Sequence, residues 1–449
     1  MSNLPAQRAT TLEQAFRLCD VQPLAGEDFA RYYVDLTEVR NTESINEVSV
    51  ELRLKQPGEF GTVLFTGHRG CGKSTELKRI QAELARNYQI IYIEVDEELD
   101  LNDASYTDIY LVILRKLEGE LRQMGLRFNR ELLSSFEQWF KEITKESEET
   151  VDKAVSITSD AQAGIEIPFL TKLTTKLLAT IKGSNTQKTT IRETLERNVS
   201  RLQADLNLLL GDAHRKLLDV QPNKKGFLFI FDNLDRVTPK VARHLFVDYA
   251  AQLQALDYFG IYTVPISAIY SGANLSNSFG SVNVMPMVNI YEFDRDRATL
   301  QYNDRSLGVL RQILNKRLDL TTLFDSEDVV QILLKASGGH VRQLMQLSRG
   351  ALLKAMTRQH LCVMADDAKR AIADEQFNFE RLIQKDHYPR LVEVYRKKNL
   401  DNDEIGQELI FNLSVLEYLE YNGGRRWNYP NPLVQKIEQF QAKLTSSTT

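Results

Sequence analysis

The chain has 449 residues, 43% of them hydrophobic, enough for two or three domains each with a sizeable core, which excludes a small disulfide-stapled scaffold. Its 56 Lys plus Arg against 61 Asp plus Glu give a formal charge of −5, so there is no general attraction to nucleic acid or anionic lipid, and any such contact needs a local patch. The three cysteines, Cys19, Cys71 and Cys362, lie far apart and form no CxxC pair, which points to a reducing cytoplasm without structural zinc.

The N-terminal segment, residues 1–44, has no apolar run of the kind that starts a secreted chain. Residues 62–66 (TVLFT) are a β-branched, apolar run leading into a glycine-rich loop, and residues 74–87 continue at helical spacing through Leu77, Ile80 and Leu84. The order is strand, loop, helix. Apolar runs at 89–95, 227–231, 261–266 and 287–291 have the length of buried parallel strands, so the expectation is an α/β protein with a five-stranded parallel sheet. Between the second and third runs, about residues 104–220, the pattern is helical. Its last part, Ile191, Leu195, Val199, Leu202, Leu206, Leu209 and Ala213, steps by three or four as one long amphipathic helix. This large helical insertion reads as a subdomain packed on the sheet, or, since the stripe is heptad-like but short, as a partner or oligomer contact. Residues 164–183 carry Lys172, Lys176 and Lys182 and belong to the same subdomain. Residues 258–291 contain no charge, but Pro265, Pro286, Asn274, Asn277 and Asn283 make them two strands joined by a polar loop, not a membrane span.

Residues 307–318, 326–336 and 340–357 are periodic at helical spacing, with Ser337-Gly338-Gly339 as a break, and define a helical lid at 301–375. Residues 403–416 look like two short helices. Residues 418–421 and 426–429 look like a hairpin turned at Asn422-Gly423-Gly424. Helices followed by such a hairpin outline a winged helix at 376–449, with residues 445–449 frayed. The core then occupies residues 45–300.

The chemistry sits first in Gly67-His68-Arg69-Gly70-Cys71-Gly72-Lys73-Ser74, a complete phosphate-binding loop. Its glycines let successive backbone N–H groups converge on a phosphate, and the helix that opens at Lys73, Ser74 and Thr75 adds its positive end. Lys73 would reach the β- and γ-phosphates of ATP, and the Ser74 hydroxyl would ligate Mg²⁺. The second half of such a site is an acid at the end of another buried strand. Residues 227–231 (FLFIF) followed by Asp232-Asn233-Leu234-Asp235 provide it. Asp232 would hold Mg²⁺ and Asp235 would polarise the attacking water. Asp235 is a shorter arm than Glu, so slow turnover is expected, which suits a switch. In the run at 261–266, Thr263 is placed to sense the γ-phosphate, in preference to Ser267. Arg342, at the head of a lid helix, is placed to reach back to the nucleotide. Arg236, Arg243, Arg295 and Arg297 are all candidates for a finger acting on a neighbouring subunit.

With these residues in hand, the chain resembles the AAA+ and STAND branch of P-loop ATPases, which includes NACHT proteins and archaeal origin-recognition initiators. The resemblance covers most of residues 45–435. It rests on the loop at 67–74, the acidic strand end at 232–235, Thr263, the lid with Gly338-Gly339 and Arg342, and the terminal winged helix. It departs from the family in its larger insertion and in having no recognisable effector domain or repeat-rich sensor. The resemblance implies that ATP with Mg²⁺, bound between core and lid, fixes a conformation, often in a homo-oligomer, which hydrolysis releases. Bacterial members often act as ATPase subunits of signalling or anti-phage defence systems beside a separately encoded effector, the role expected here. ATP over GTP rests on the resemblance and on the lack of an NKxD motif.

The alternative is a DNA-acting ATPase, an initiator or a transposition-type loader, using the winged helix on duplex. A recognition helix needs Lys, Arg, Asn or Gln toward the bases, yet residues 401–424 contain no Lys or Arg. Arg425 and Arg426 sit at the hairpin, and basic clusters at Lys224-Lys225 and at Arg396-Lys397-Lys398 keep the DNA reading open. Nucleic acid is therefore the less favoured partner, a protein effector the favoured one, and no membrane is expected.

Overall fold

Five strands stand side by side at the centre of the protein: β1 (Gly61–Gly67), β2 (Gln89–Glu94), β3 (Phe227–Asp232), β4 (Phe259–Pro265) and β5 (Val282–Met285). In the computed structural model, which describes residues 8–146, 169–183, 185–420 and 424–446, they form one sheet in the order β2-β3-β4-β1-β5. All four pairings are parallel, with Phe65 opposite Thr263 and Glu94 opposite Asp232. β3 and β4 are buried along their whole length, as strands covered on both faces must be.

Alternation along the strands sends side chains to two separate cores. Val63, Phe65, Leu228, Ile230, Phe259 and Ile261 face a core shared with the N-terminal helices, the lid and the C-terminal part. Leu64, Ile91, Ile93, Phe229, Phe231 and Tyr262 face a core shared with the insertion. The insertion comprises helices Tyr106–Gln123, Arg130–Glu146, Phe169–Gly183, Asn185–Arg197 and Val199–Val220. Residues 164–168 of the lysine-bearing segment lie outside the described residues. The long stripe is two helices, not one, because the chain breaks at Asn198, whose side chain turns back to the Thr194 carbonyl at 2.9 Å. Of its members, Ile191, Leu195, Leu202, Leu206, Leu209 and Ala213 are buried in the second core, so the stripe is spent on packing within the chain.

The fifth strand is displaced from its expected place. It is Val282–Met285, and the apolar run at 287–291 follows it beyond Pro286, which has no N–H to continue a ladder. That run bonds elsewhere: Met287 N–H donates to the Glu417 carbonyl at 3.1 Å and Asn289 N–H to the Val39 carbonyl at 2.9 Å. No helix among the described residues is long and apolar enough to cross a membrane.

The lid consists of helices Asp304–Asn315, Glu327–Ala336 and Val341–Thr357, and a further helix, Ala365–Leu382, crosses the expected boundary at residue 375. Beyond it come Tyr388–Lys397, a single helix Glu404–Phe411 where two were expected, and an antiparallel hairpin of Val415–Leu419 with Arg426–Pro430. Leu416 is therefore in a strand. Asn422 and Gly423, read as part of the turn, lie outside the described residues, as do residues 447–449 of the tail. The outline of a winged helix is present, but its hairpin is built into the body: Asn289 and Asn41 both donate side-chain amides to the Leu419 carbonyl, at 2.9 and 3.0 Å.

Candidate functional site

β1 ends at Gly67, and the chain curls through Gly67, Gly70 and Gly72, all with positive φ, before helix Lys73–Leu84 begins. Two of these positions admit no side chain. A Cβ on Gly67 would fall on the Met285 carbonyl oxygen, and one on Gly70 would lie 2.7 Å from His340 Nε2. At the head of the helix the Lys73 ammonium, almost wholly buried, donates to the carbonyls of Gly67 and His68, each at 2.8 Å, and lies 2.8 Å from Asp235 Oδ2. Burial pulls its pKa down, but the charge of Asp235 outweighs this and the net direction is up. Lys73 is held charged.

Asp232 closes β3. Its carboxylate accepts from Tyr92 Oη at 2.7 Å and from the Asn233 N–H at 2.8 Å. Burial drives its pKa up, the Tyr92 bond opposes this, the charge of Asp235 adds to it, and a bond from the Ser74 hydroxyl opposes it; the net direction is up. Asn233 is left-handed, φ 66°, and this reversal turns Asp235 back toward Lys73. Thr263 stands on β4 between the strands that carry the loop and the acids. Its hydroxyl donates to the Phe231 carbonyl at 3.0 Å and accepts the Asp235 N–H at 3.3 Å. Thr263 thus braces the turn that presents Asp235, and it does not line the cavity beside the loop.

That cavity opens directly against the phosphate loop. One end is polar: residues 69–76, Asn233, Asp235, Arg236 and Arg342. The other is largely apolar: Val21, Pro23, Leu24, Val34, Ile313 and Met345. Arg342 lines the cavity, its backbone N–H donating to the Gly70 carbonyl at 3.2 Å. Beside it, His340 Nε2 lies 2.8 Å from the Arg69 carbonyl. Burial, then the Arg342 charge, hold the His340 ring down at a pKa of about 4, so the ring is neutral and its Nε2–H is the donor. Of the four finger candidates, Arg236 lines this cavity in its own chain; Arg243, Arg295 and Arg297 do not.

Two parts of the site were not legible from sequence. The apolar wall contributed by residues 21–34 has no motif; Leu24 N–H is tied to the Thr75 hydroxyl at 3.2 Å. Arg40, 1% exposed, sits behind the loop, donates to the Cys71 carbonyl and to Met285 Sδ, and lies 3.9 Å from buried Glu76, which Arg79 and Tyr33 also hold. His68, expected only to offer its backbone to phosphate, also makes a long-range link. Its Nε2 accepts the Glu417 N–H of the hairpin at 2.7 Å. Tyr270 Oη bonds the Glu417 carboxylate, and Tyr418 Oη donates to the Gly338 carbonyl at 2.7 Å.

A profile of the KAP family P-loop domain matches residues 43–252. Among solved structures, the chain is similar to the Aeropyrum pernix ORC2 protein (12% identity, 96% of this chain and 98% of that one, TM-score 0.41) and to the Walker-type ATPase of Pyrococcus abyssi (15%, 93% and 98%, 0.43). It is also similar to the Drosophila ORC bound to DNA (11%, 99% and 94%, 0.39). No curated protein matches. The domain matched, the parallel sheet and the loop geometry together give this chain a P-loop NTPase fold.

Proposed function

We propose that the protein is an ATP-binding and hydrolysing molecular switch that assembles with itself or with a separate protein effector. One observation carries the reading: the phosphate loop is itself the docking point of the lid and the hairpin. The Gly70 and Arg69 carbonyls hold the lid through Arg342 and His340, and the His68 ring holds the hairpin through Glu417. A change in the loop on binding a triphosphate is therefore felt by both.

Backbone N–H groups of the loop and the start of the Lys73 helix bind the phosphates, and Lys73, released from Asp235, neutralises them. Arg342 closes the lid side. The apolar end of the cavity accepts the base. The donor set fits Mg²⁺: a serine hydroxyl already bonded to a buried carboxylate, with hard oxygen donors and no soft ligands. Bound there, Mg²⁺ would neutralise charge on the transferred phosphoryl group. Asp235 orients the attacking water, but only after it leaves Lys73, and this exchange supports slow turnover.

The basic clusters favour a protein partner over DNA. Lys224 donates to the Tyr88 carbonyl at 2.8 Å, Lys225 to the Lys55 carbonyl at 2.8 Å, and Lys398 to the Arg297 carbonyl at 2.5 Å; Lys397 is paired with Glu393 at 2.6 Å. The charges of Lys224, Lys225 and Lys398 are engaged with backbone carbonyls of the fold, and that of Lys397 with a neighbouring carboxylate on its own helix.

The test is phosphate release from ATP by the purified protein, with Lys73→Ala as the blank, together with hydrogen exchange across the hairpin strands with and without ATP. Slow, Lys73-dependent release and faster exchange in the hairpin on ATP binding are expected. Exchange that ignores ATP would remove the switch, and release stimulated several-fold by duplex DNA would favour the DNA-acting reading.

A further inference from the structure

Arg236 follows Asp235 in a single turn of 3₁₀ helix and lines the same cavity as Lys73 of its own chain. Its guanidinium lies 2.5 Å from Asp96 Oδ2, while Asp96 Oδ1 accepts the Asn233 side-chain amide at 2.8 Å. Asp96 leaves the sheet just after β2, so one carboxylate fixes two residues of the turn after β3. The Arg236 and Asp96 side chains are each 28% exposed, and an ion pair open to water in this way is weak enough to exchange partners. Arg69 and Arg342 line the same end of the cavity, and neither makes an ion pair or a side-chain hydrogen bond among the described residues. Three guanidiniums, Arg69, Arg236 and Arg342, line the cavity, and the carboxylates of Asp235 and Asp96 are already engaged, by Lys73 and by Arg236. Arg342 registers the crowding: burial, then Arg236 and Arg69, push its pKa down. A group with two or more negative charges would relieve it.

We propose that Arg236 is a phosphate-contacting residue acting in cis: it is parked on Asp96 and transfers to the terminal phosphate of a nucleoside triphosphate held by the loop of the same chain. This inference rests on the ATPase reading above and assigns to the chain itself the arginine that such sites often take from a neighbour. In the hydrolytic step the water oxygen bonds to the γ-phosphorus and the bond from that phosphorus to the bridging oxygen breaks. The electron pair goes to the β-phosphate of the departing ADP, and the water proton leaves to Asp235 or solvent. Arg236 keeps its proton and stabilises charge on the terminal phosphate and bridging oxygens as it builds. Asp96, touching no reacting atom, is a positioning residue that sets how readily Arg236 is released.

The experiment uses the full chain and titrates a non-hydrolysable ATP analogue against ADP for wild type, Arg236→Gln and Asp96→Asn. Loss of a charged contact to the third phosphate lowers analogue affinity about tenfold and leaves ADP within about twofold. Asp96→Asn, which keeps an oxygen for Asn233 but frees the guanidinium, raises the preference for the analogue over ADP. Phosphate release is then measured on an equimolar mixture of Arg236→Gln and Lys73→Ala, and no recovery above the separate proteins is expected. Equal loss of both nucleotides in Arg236→Gln would make its role structural, and recovered release in the mixture would make it a finger acting on the neighbour; either overturns the proposal. So does an unchanged preference in Asp96→Asn, which keeps the test decisive if Arg236→Gln does not fold. Failure of wild type to bind either nucleotide would instead bring down the ATPase reading, and this proposal with it.

Discussion

Acidification is expected to lift the lid from the phosphate loop through His340. The ring is 2% exposed, and its Nε2–H is committed to the Arg69 carbonyl at 2.8 Å. Its Nδ1 has no hydrogen-bond partner. Gln343 is close by, but its amide is spent on the Ala336 carbonyl and on Asn431. A second proton on the ring would thus be buried without an acceptor. Burial and the Arg342 charge bring the pKa from 6.5 down to about 4. A base whose folded value is depressed contributes stability that is complete above the unfolded value and is lost as pH falls. The window here runs from about 6.5 down to about 4, and at pH 5 the loss is about 2 kcal/mol. His68 acts in the same direction: burial, His340 and Lys73 depress its pKa, and protonation of Nε2 would end its acceptance of the Glu417 N–H. The assay is the melting temperature of wild type and His340→Gln at pH 5, 6 and 7.5. The carboxylates common to both proteins cancel in the difference. The wild type is expected to lose a few degrees more than the variant between pH 7.5 and pH 5. Parallel acid slopes would refute the reasoning.

Gly70→Ala is expected to open the lid without unfolding the sheet, because φ is 84° and the new Cβ would meet His340 Nε2 at 2.7 Å and Arg342 at 2.9 Å. The conformational strain alone is about 1–2 kcal/mol, and limited proteolysis cutting faster between residues 301 and 375 is the readout. Arg40→Leu leaves Glu76 buried with only Arg79 and Tyr33, so urea denaturation should show a loss of about 3 kcal/mol; a loss under about 1 kcal/mol would mean that the buried pair is not coupled.

Whatever depends on near neighbours in the chain could be read from the sequence. The loop at 67–74 and the acids at 232 and 235 follow uninterrupted apolar runs, and local order carries them to adjacent strand ends. β5 was misplaced because it is an edge strand, half exposed on alternate residues, and Asn283 made it look like a loop, while the stronger apolar run past Pro286 packs against the hairpin. The break at Asn198 depends on one amide back-bond inside an otherwise continuous stripe. The apolar wall of the cavity and Arg40 come from residues 21–40, whose partners are Thr75, Cys71, Glu76 and Met285. Contacts across such separations leave no periodicity. Thr263 was found as a polar residue on the right strand, but its work is to hold the turn before Asp235.

The sheet divides the interior into two bodies of apolar side chains, and the phosphate loop touches only one. Cys71, Leu77 and Ile80 share that body with the lid and the hairpin, whereas the insertion is anchored in the other through Leu202, Leu206 and Leu209. The lid and hairpin thus bury their apolar side chains in a different body from the one that holds the insertion helices. The molecule has a plinth, the insertion on one face of the sheet, and a cover, the lid and hairpin on the other.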